Sequence, residues 1–471
     1  MNDINKKKTF TDDLRSDFSY NENKSSVKIS FERIAFIFFI FFIISIIYSV
    51  HLIHLGSRDS RVETNYKFNN NLNELYRADI VDANDNYIGK TISSIDIGIS
   101  PSKIIDEKKL IINLKYIFPN KDYNLVKSNL NNKKFFYFEK KISDENYEKL
   151  MRLGDKSIQP EEKLTRVYPE KNLFSHIIGQ IDNDNNGVSG LEKSLDQDLK
   201  VNQKPIVLTV DKNIQFLIKD ELERFNEIFD TKGSAAILMN VDNGEILSLV
   251  SLPDFDPNKR KEISNKNFIN RATKGVYEFG SVFKTFTFAA AINEGIIEPE
   301  TEFIDLEKKI QCGGNTISEY DKEIPSNLTA EEILIRSGNI GSVRIAQKLG
   351  EDKYKIFLSK IGVLEKIDFD IEEIGRPIKF NWGKCPLATA SFGHGITTTL
   401  LQLAKAYAII VNGGYDISPY LVKKFENVKK EKILNKDVSK KILPILRKIV
   451  TTKEGTASLA NIDGYEVGGK T

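Results

Sequence analysis

Residue types and spacings that can do chemistry fall in the second half of the chain. Ser281-Val282-Phe283-Lys284 sets a hydroxyl and an amine three residues apart, with Gly280 before them. An apolar stretch follows over 285–292, with Gly295 beyond it. Residues three apart share a helix face, so the Lys284 amine can reach the Ser281 hydroxyl. Serine is a weak nucleophile at neutral pH, and a partly desolvated lysine with a lowered pKa can serve as its base. A helix N-terminus also favours negative charge developing there. The same spacing recurs at Ser25/Lys28, in a polar tail, and at Ser100/Lys103, which has Pro101 inside it. The first precedes the long apolar run, and both have bland readings.

Two further clusters follow. Ser337-Gly338-Asn339 separates apolar-periodic segments at 328–335 and 340–349. Such a junction either points side chains into a cleft or is a plain helix–helix turn, since Ser, Gly and Asn are common turn residues. Val467-Gly468-Gly469-Lys470-Thr471 places glycines before a Lys-Thr pair. On a strand, those glycines would let a ligand approach the backbone closely. A phosphate loop would need another glycine five residues before its lysine, and position 465 is Tyr.

The elements that must position these groups start where the texture changes, at Lys204-Pro205. Residues 206–210 read as a strand, Asp211 as a helix cap, and Ile214, Leu217, Ile218, Leu222 and Phe225 as one helical face. Strands over 234–240 and 245–252 flank Asp242-Asn243-Gly244, an antiparallel hairpin. Asn412-Gly413-Gly414 marks another turn. The pattern predicts an α+β domain, an antiparallel sheet with flanking helices. Residues 57–203 read as mixed α/β with many loops, and Gly187 and Gly190 precede a helix starting near Leu191.

Residues 34–56 carry no charge and lie between Arg33 and Arg58. At 1.5 Å per residue they extend about 34 Å, enough to cross a bilayer core. The run is longer than a signal-peptide apolar region and shows no small-residue cleavage site. Arg15, Lys24, Lys28 and Arg33 on one flank slightly outweigh Arg58, Arg61 and Lys67 on the other, which places residues 1–33 in the cytoplasm as a short tail. Lys+Arg 68 against Asp+Glu 66 leaves +2, no basic field for a nucleic-acid partner. With 2 Cys a disulfide scaffold is excluded. Of 4 His, His51 and His54 lie in the apolar run. The other two, His176 and His394, leave little for a zinc site or a Ser-His-Asp triad. Cys312 and Cys385 either pair or stay as buried thiols. Trp382 reads as core packing and His394 as structural. No metal or cofactor is expected.

In order, Ser281-x-x-Lys284, Ser337-x-Asn339 and a glycine-preceded Lys470-Thr471 form a signature of penicillin-binding proteins and serine β-lactamases, and the chain resembles that superfamily. Tyr277-Glu278-x-Gly280-Ser281-x-Phe283-Lys284 is similar to its nucleophile segment. Ser391-Phe392-Gly393-His394-Gly395, followed by Leu401-Gln402-Leu403-Ala404, is similar to its later block. Arg166-Val167-Tyr168-Pro169, His176-Ile177-Ile178-Gly179 and Gly190-Leu191-Glu192 resemble the non-catalytic domain of class B penicillin-binding proteins. Gly187-x-x-Gly190-Leu191-Glu192-Lys193, Ser337-x-Asn339-Ile340-Gly341 and Phe392-Gly393-His394-Gly395 look more like the division-specific septal type than the elongation type. Phe279, Gly338 and Thr399 stand where the family usually has Pro, Ser and Pro.

The resemblance implies a transmembrane anchor at 34–56, a non-catalytic pedestal or dimerisation-type domain at 57–203, and a transpeptidase domain at 204–471. It also implies sheet strands after Thr471, so the chain is expected to be incomplete at its C-terminus. The implied reaction is cross-linking of peptidoglycan stem peptides during cell division. Ser281 would attack the D-Ala-D-Ala carbonyl, with Lys284 taking its proton and Ser337 relaying one to the leaving D-Ala. Asn339 would orient Lys284 and the substrate amide. Lys284 and Lys470 would tune the proton network, Lys470 and Thr471 would hold the terminal carboxylate, and the edge strand bearing them, with Gly469, would bind the peptide by strand pairing. Implied partners are stem peptides, β-lactams, a SEDS-type glycosyltransferase and other division proteins, at the inner membrane with the catalytic domain outside the cytoplasm. The alternatives are an elongation-type enzyme, a carboxypeptidase or β-lactamase-like hydrolase in which water replaces the acceptor amine, and an inactive division scaffold.

Overall fold

The structure, a computed structural model, describes residues 26–57, 76–259, 269–424 and 431–471. Most of the expected tail at 1–33 lies outside the described residues, as do Arg58, Arg61 and Lys67. Helix α1 spans Ser26–Ser57. Within it Ile34–Ile53 is apolar and long enough to cross a membrane, with its side chains exposed throughout.

Among the described residues from 76 onward there are five sheets, one five-stranded and four two-stranded. In the first, β2 (Tyr87–Ile99) pairs antiparallel with β1 (Ile80–Val81), β3 (Phe136–Ile142) and β4 (Ile158–Val167), and β1 pairs parallel with β5 (Ile206–Val207). Strand β5 is shorter than the expected 206–210. Beyond Leu208 the main chain leaves β1, Thr209 N bonding to Leu421 O and Asp211 N to Leu247 O. Helices Glu107–Ile117, Tyr123–Asn131 and Asp144–Met151, capped by Asp106, Asp122 and Ser143, supply the other side of a small core containing Ile97, Leu114, Phe138 and Leu150.

The segments around Arg166 and Glu192 carry a buried charge network. Glu192 accepts from Arg77 Nε (2.5 Å) and Arg166 Nε (2.7 Å). Arg77 also reaches Asp196 (2.7 Å), and Arg166 Nη1 donates to Ala78 O (2.8 Å). Each buried charge therefore has a partner of opposite sign, the condition under which burial is tolerable. The same region docks on the second half of the chain. Asn258 Nδ2 donates to Tyr168 O (2.9 Å), Asn172 Nδ2 to Asp254 Oδ1 (3.1 Å) and Asn270 Nδ2 to His176 O (3.0 Å).

Asp211 caps α2 (Lys212–Phe229), accepting from Asn213 N and Ile214 N as the sequence predicts. The helix packs on the hairpin β6 (Ser234–Met239) and β7 (Ile246–Leu252), in register from Ser234↔Leu252 to Leu238↔Ser248, with a shift before Met239↔Ile246. Buried Gln215 ties helix to hairpin, accepting from Ser248 Oγ (2.7 Å) and donating to Leu249 O (2.9 Å).

After the hairpin come α3 (Lys284–Asn293), a second hairpin of β8 (Lys309–Cys312) and β9 (Asn315–Ser318), α4 (Ala330–Ile335), α5 (Asn339–Leu349), α6 (Lys384–Ala390), α7 (Leu400–Val411) and α8 (Lys436–Thr451). Helix α3 is buried at every position from Lys284 to Ile292. A helix buried on every side lies within a core, and Phe286, Phe288, Ile333, Val343, Ile409 and Ile442 share one. Thr399, standing where proline is usual, caps α7: its Oγ1 accepts from Gln402 N (3.2 Å), and Gln402 Oε1 accepts from Thr399 N (3.2 Å).

Candidate active site

A short 3-10 turn, Gly280–Phe283, leads into α3. Gly280 opens it at φ +56°, a left-handed conformation suited to glycine. Gly393 lies against it so closely that a Cβ there would sit 2.0 Å from Gly280 O. Tyr407 of α7 holds the turn from within, donating to Val282 O (3.0 Å) and lying 2.9 Å from Thr285 Oγ1. Ser281 is half-buried at the surface of the turn, while Lys284 is 2% exposed because it starts the central helix.

The amine that the spacing aims at Ser281 bonds instead to Ser337. Lys284 Nζ donates to Ser337 O (2.5 Å) and Ser337 Oγ (3.0 Å). Burial, assisted by the charge of Lys470 and opposed by that of Glu319, brings the Lys284 pKa down to about 7. Burial likewise brings Lys470 down to about 8.

Ser337 holds φ +57°, uncommon for a residue with a Cβ and a mark of local strain. It follows α4, and Gly338 is the N-cap of α5 without a capping side chain of its own. Glu319, just past β9, supplies the cap: its carboxylate accepts from Asn339 N (2.6 Å) and Ile340 N (2.9 Å). The Asn339 side chain donates to Ser318 O (2.9 Å), and no bond joins it to Lys284. Sequence reasoning missed Glu319, since nothing local links it to a helix twenty positions on. Cys312, at the tip of the β8–β9 hairpin, is disulfide-bonded to Cys385 of α6, which decides between the two readings of this pair.

At the far end of the sequence, 467–471 forms no strand among the described residues. A ladder needs a neighbouring strand, and this backbone bonds to α8 instead: Gly469 N to Leu446 O (3.1 Å), with Arg447 Nη1 donating to Val467 O (2.6 Å). Lys470 Nζ donates to Thr471 O (2.7 Å). Thr471 Oγ1 lies 2.8 Å from Thr456 Oγ1, a second residue the sequence reading passed over. Its signal was the preceding Gly455, where a Cβ would meet Ile449 O at 2.1 Å.

One cleft of about 1170 Å³ is lined by Ser281, Lys284, Ser337, Asn339, Thr456 and Thr471. His394 is not a buried structural group. It stands 69% exposed at the cleft, stacked on Phe392 and 3.3 Å from Glu278. Trp382 packs edge-on against Tyr354 and Phe380 beside the core, as expected.

Residues 234–471 match the penicillin-binding protein transpeptidase domain, and residues 73–226 match the penicillin-binding protein dimerisation domain. The chain belongs to the penicillin-binding protein family. A dimerisation domain ahead of a transpeptidase domain makes it a class B member. It is 29% identical over 405 residues to the probable peptidoglycan D,D-transpeptidase FtsI of Caulobacter vibrioides, covering 84% of this chain and 68% of that protein. Stage V sporulation protein D of Bacillus subtilis is 27% identical over 444 residues, again 84% and 68% of the two chains. The probable peptidoglycan D,D-transpeptidase PenA of Neisseria flavescens is 30% identical over 293 residues, 62% of this chain and 72% of that one.

Proposed function

We propose that this penicillin-binding protein is a septal peptidoglycan D,D-transpeptidase that works through an acyl-enzyme on Ser281. The observation that carries the reading is the meeting of Ser281, a desolvated Lys284 and Ser337 in one cleft. A neutral amine has two N–H donors and one lone pair. With both donors engaged by Ser337 O and Oγ, the lone pair is left to take a proton. A pKa of about 7 makes that neutral form abundant at working pH.

Ser281 Oγ attacks the carbonyl of the penultimate D-Ala, and its proton passes to Lys284. The C–N bond then breaks, and D-Ala leaves with a proton delivered through Ser337 Oγ. An amine of a neighbouring stem peptide attacks the ester, forming the cross-link and returning the proton to Ser281. A β-lactam follows the first half, its ring C–N bond opening while the acyl group stays. Lys470 and Thr471 hold the substrate carboxylate beside the Gly469 backbone, and Asn339 lies along the substrate's path. Residues 34–56 anchor the chain in the inner membrane, with the N-terminus cytoplasmic. Residues 57–203 serve as pedestal and 204–471 as catalytic domain, both extracytoplasmic. A SEDS-type glycosyltransferase and other division proteins are the partners.

The test is labelling by a fluorescent penicillin. Label on the purified chain that disappears in Ser281→Ala supports the reading. Label that persists in Ser281→Ala, or none on the unsubstituted protein, removes Ser281 as nucleophile.

A further inference from the structure

Glu319 stands outside the three motifs, yet it is bonded to the one that holds Lys284. Its two carboxylate oxygens take the first N–H groups of α5, Asn339 N at 2.6 Å and Ile340 N at 2.9 Å. These donors have no partner within the helix. A carboxylate is the acceptor best matched to them and to the positive end of the helix dipole. The geometry is unusual in its sequence range. A side chain of α5 or the preceding turn would normally supply the cap, but position 338 is glycine and its neighbour Ser337 is turned to Lys284. Glu319 is brought in by another element, the β8–β9 hairpin.

That hairpin is held at both ends. Its tip residue Cys312 is bonded to Cys385 of α6. At its base Ser318 O accepts from Asn339 Nδ2 (2.9 Å), and the next residue is Glu319 itself. The hairpin therefore ties α6 to the N-terminus of α5, and just before that N-terminus, after α4, comes Ser337 at φ +57°. A left-handed residue with a Cβ persists only where its surroundings over-determine it. The two Glu319 bonds fix the residues immediately after Ser337-Gly338 and so supply that restraint.

We infer that Glu319 is a positioning residue for acyl transfer, holding Ser337 in the conformation that receives the Lys284 amine. It acts through the α5 backbone rather than on substrate. The inference rests on the acyl-transfer reading of Ser281. Glu319 also acts on Lys284 electrostatically, its negative charge favouring the protonated amine. Its two effects separate in a pH profile: loss of positioning lowers the rate at every pH, and loss of the charge lets Lys284 release its proton at lower pH.

The experiment measures the second-order rate of acylation by a fluorescent penicillin between pH 5.5 and 9. It compares the full chain with Glu319→Gln and Glu319→Asp, each normalised to the folded fraction from circular dichroism. Glu319→Gln keeps one acceptor oxygen and the shape, so it tests the charge without emptying the site. The expected result is a fall of about 10- to 100-fold at the optimum, the scale of a small misplacement of a catalytic group. The acid limb should move to lower pH in Glu319→Gln and stay near its original place in Glu319→Asp. Glu319→Gln protein that is folded, reacts at the original rate and keeps the original limb overturns the inference. So does a moved limb with an unlowered rate, which is what the charge alone would give. An unsubstituted chain that takes no label overturns the acyl-transfer reading, and the inference falls with it; a labelled one with unchanged variants overturns the inference alone.

Discussion

The expected pH dependence of acylation follows from two lysines, Lys284 buried and Lys470 half-buried. In the proposed mechanism Lys284 must be neutral to take the Ser281 proton, and its pKa is about 7. In the same mechanism Lys470 must be charged to hold a carboxylate, and its pKa is about 8. The productive state, with Lys284 neutral and Lys470 protonated, is most populated near pH 7.5. At pH 6 and again at pH 9 the acylation rate should be about one seventh of that maximum, the bell expected of two essential groups titrating about one unit apart. Lys470→Met supplies the perturbation. It removes the alkaline limb, because no second lysine remains to discharge. It also removes a positive charge that depresses the Lys284 pKa, so the acid limb should move to higher pH. Both shifts are read from ratios of rates, which a uniform loss of substrate affinity leaves untouched. The assay is stopped-flow acylation by a fluorescent penicillin in buffers of constant ionic strength. A flat profile between pH 6 and 8, or an acid limb that moves to lower pH in Lys470→Met, would refute the assignment of these two roles.

Four further outcomes follow from the same geometry. The folded-state pKa of Lys284 lies below its unfolded value, so between about pH 7 and 10.5 the unfolded chain binds the extra proton and stability rises with pH. Lys284→Met should therefore stabilise the fold by about 5 kcal/mol at pH 6 and about 2 kcal/mol at pH 9, measured by denaturant titration, while abolishing acylation. Glu192→Ala leaves Arg77 and Arg166 buried without their shared carboxylate and should cost about 3–5 kcal/mol, seen as a lowered thermal midpoint. Gly393→Ala forces a Cβ against Gly280 O and should slow acylation by about 100-fold through displacement of the nucleophile turn, with a crystal structure of the variant showing that turn moved. Reducing Cys312–Cys385, which closes a 73-residue separation, should lower stability by up to about 4 kcal/mol in the chain-entropy account, measured with and without reductant.

What the sequence determined on its own was whatever depends on near neighbours. The membrane-length apolar run needs only composition, and the Asp211 cap with its helix and the 234–252 hairpin need only periodicity and turn residues. The three clusters were legible because residue type and order survive without coordinates. The tertiary structure decided what depends on distance through space. The Lys284 pKa falls to about 7 because α3 is buried on every side and Lys470 lies close by, and neither fact is contained in Ser-x-x-Lys spacing. Its partner is Ser337 rather than Ser281 because a left-handed residue between α4 and α5 turns both its oxygens toward the amine. Glu319 and Thr456 escaped notice for the same reason, and the choice between a Cys312–Cys385 bond and two free thiols stayed open. Desolvation, Coulomb interaction and cross-linking act between groups that folding brings together from distant parts of the chain, whereas periodicity registers only neighbours along it.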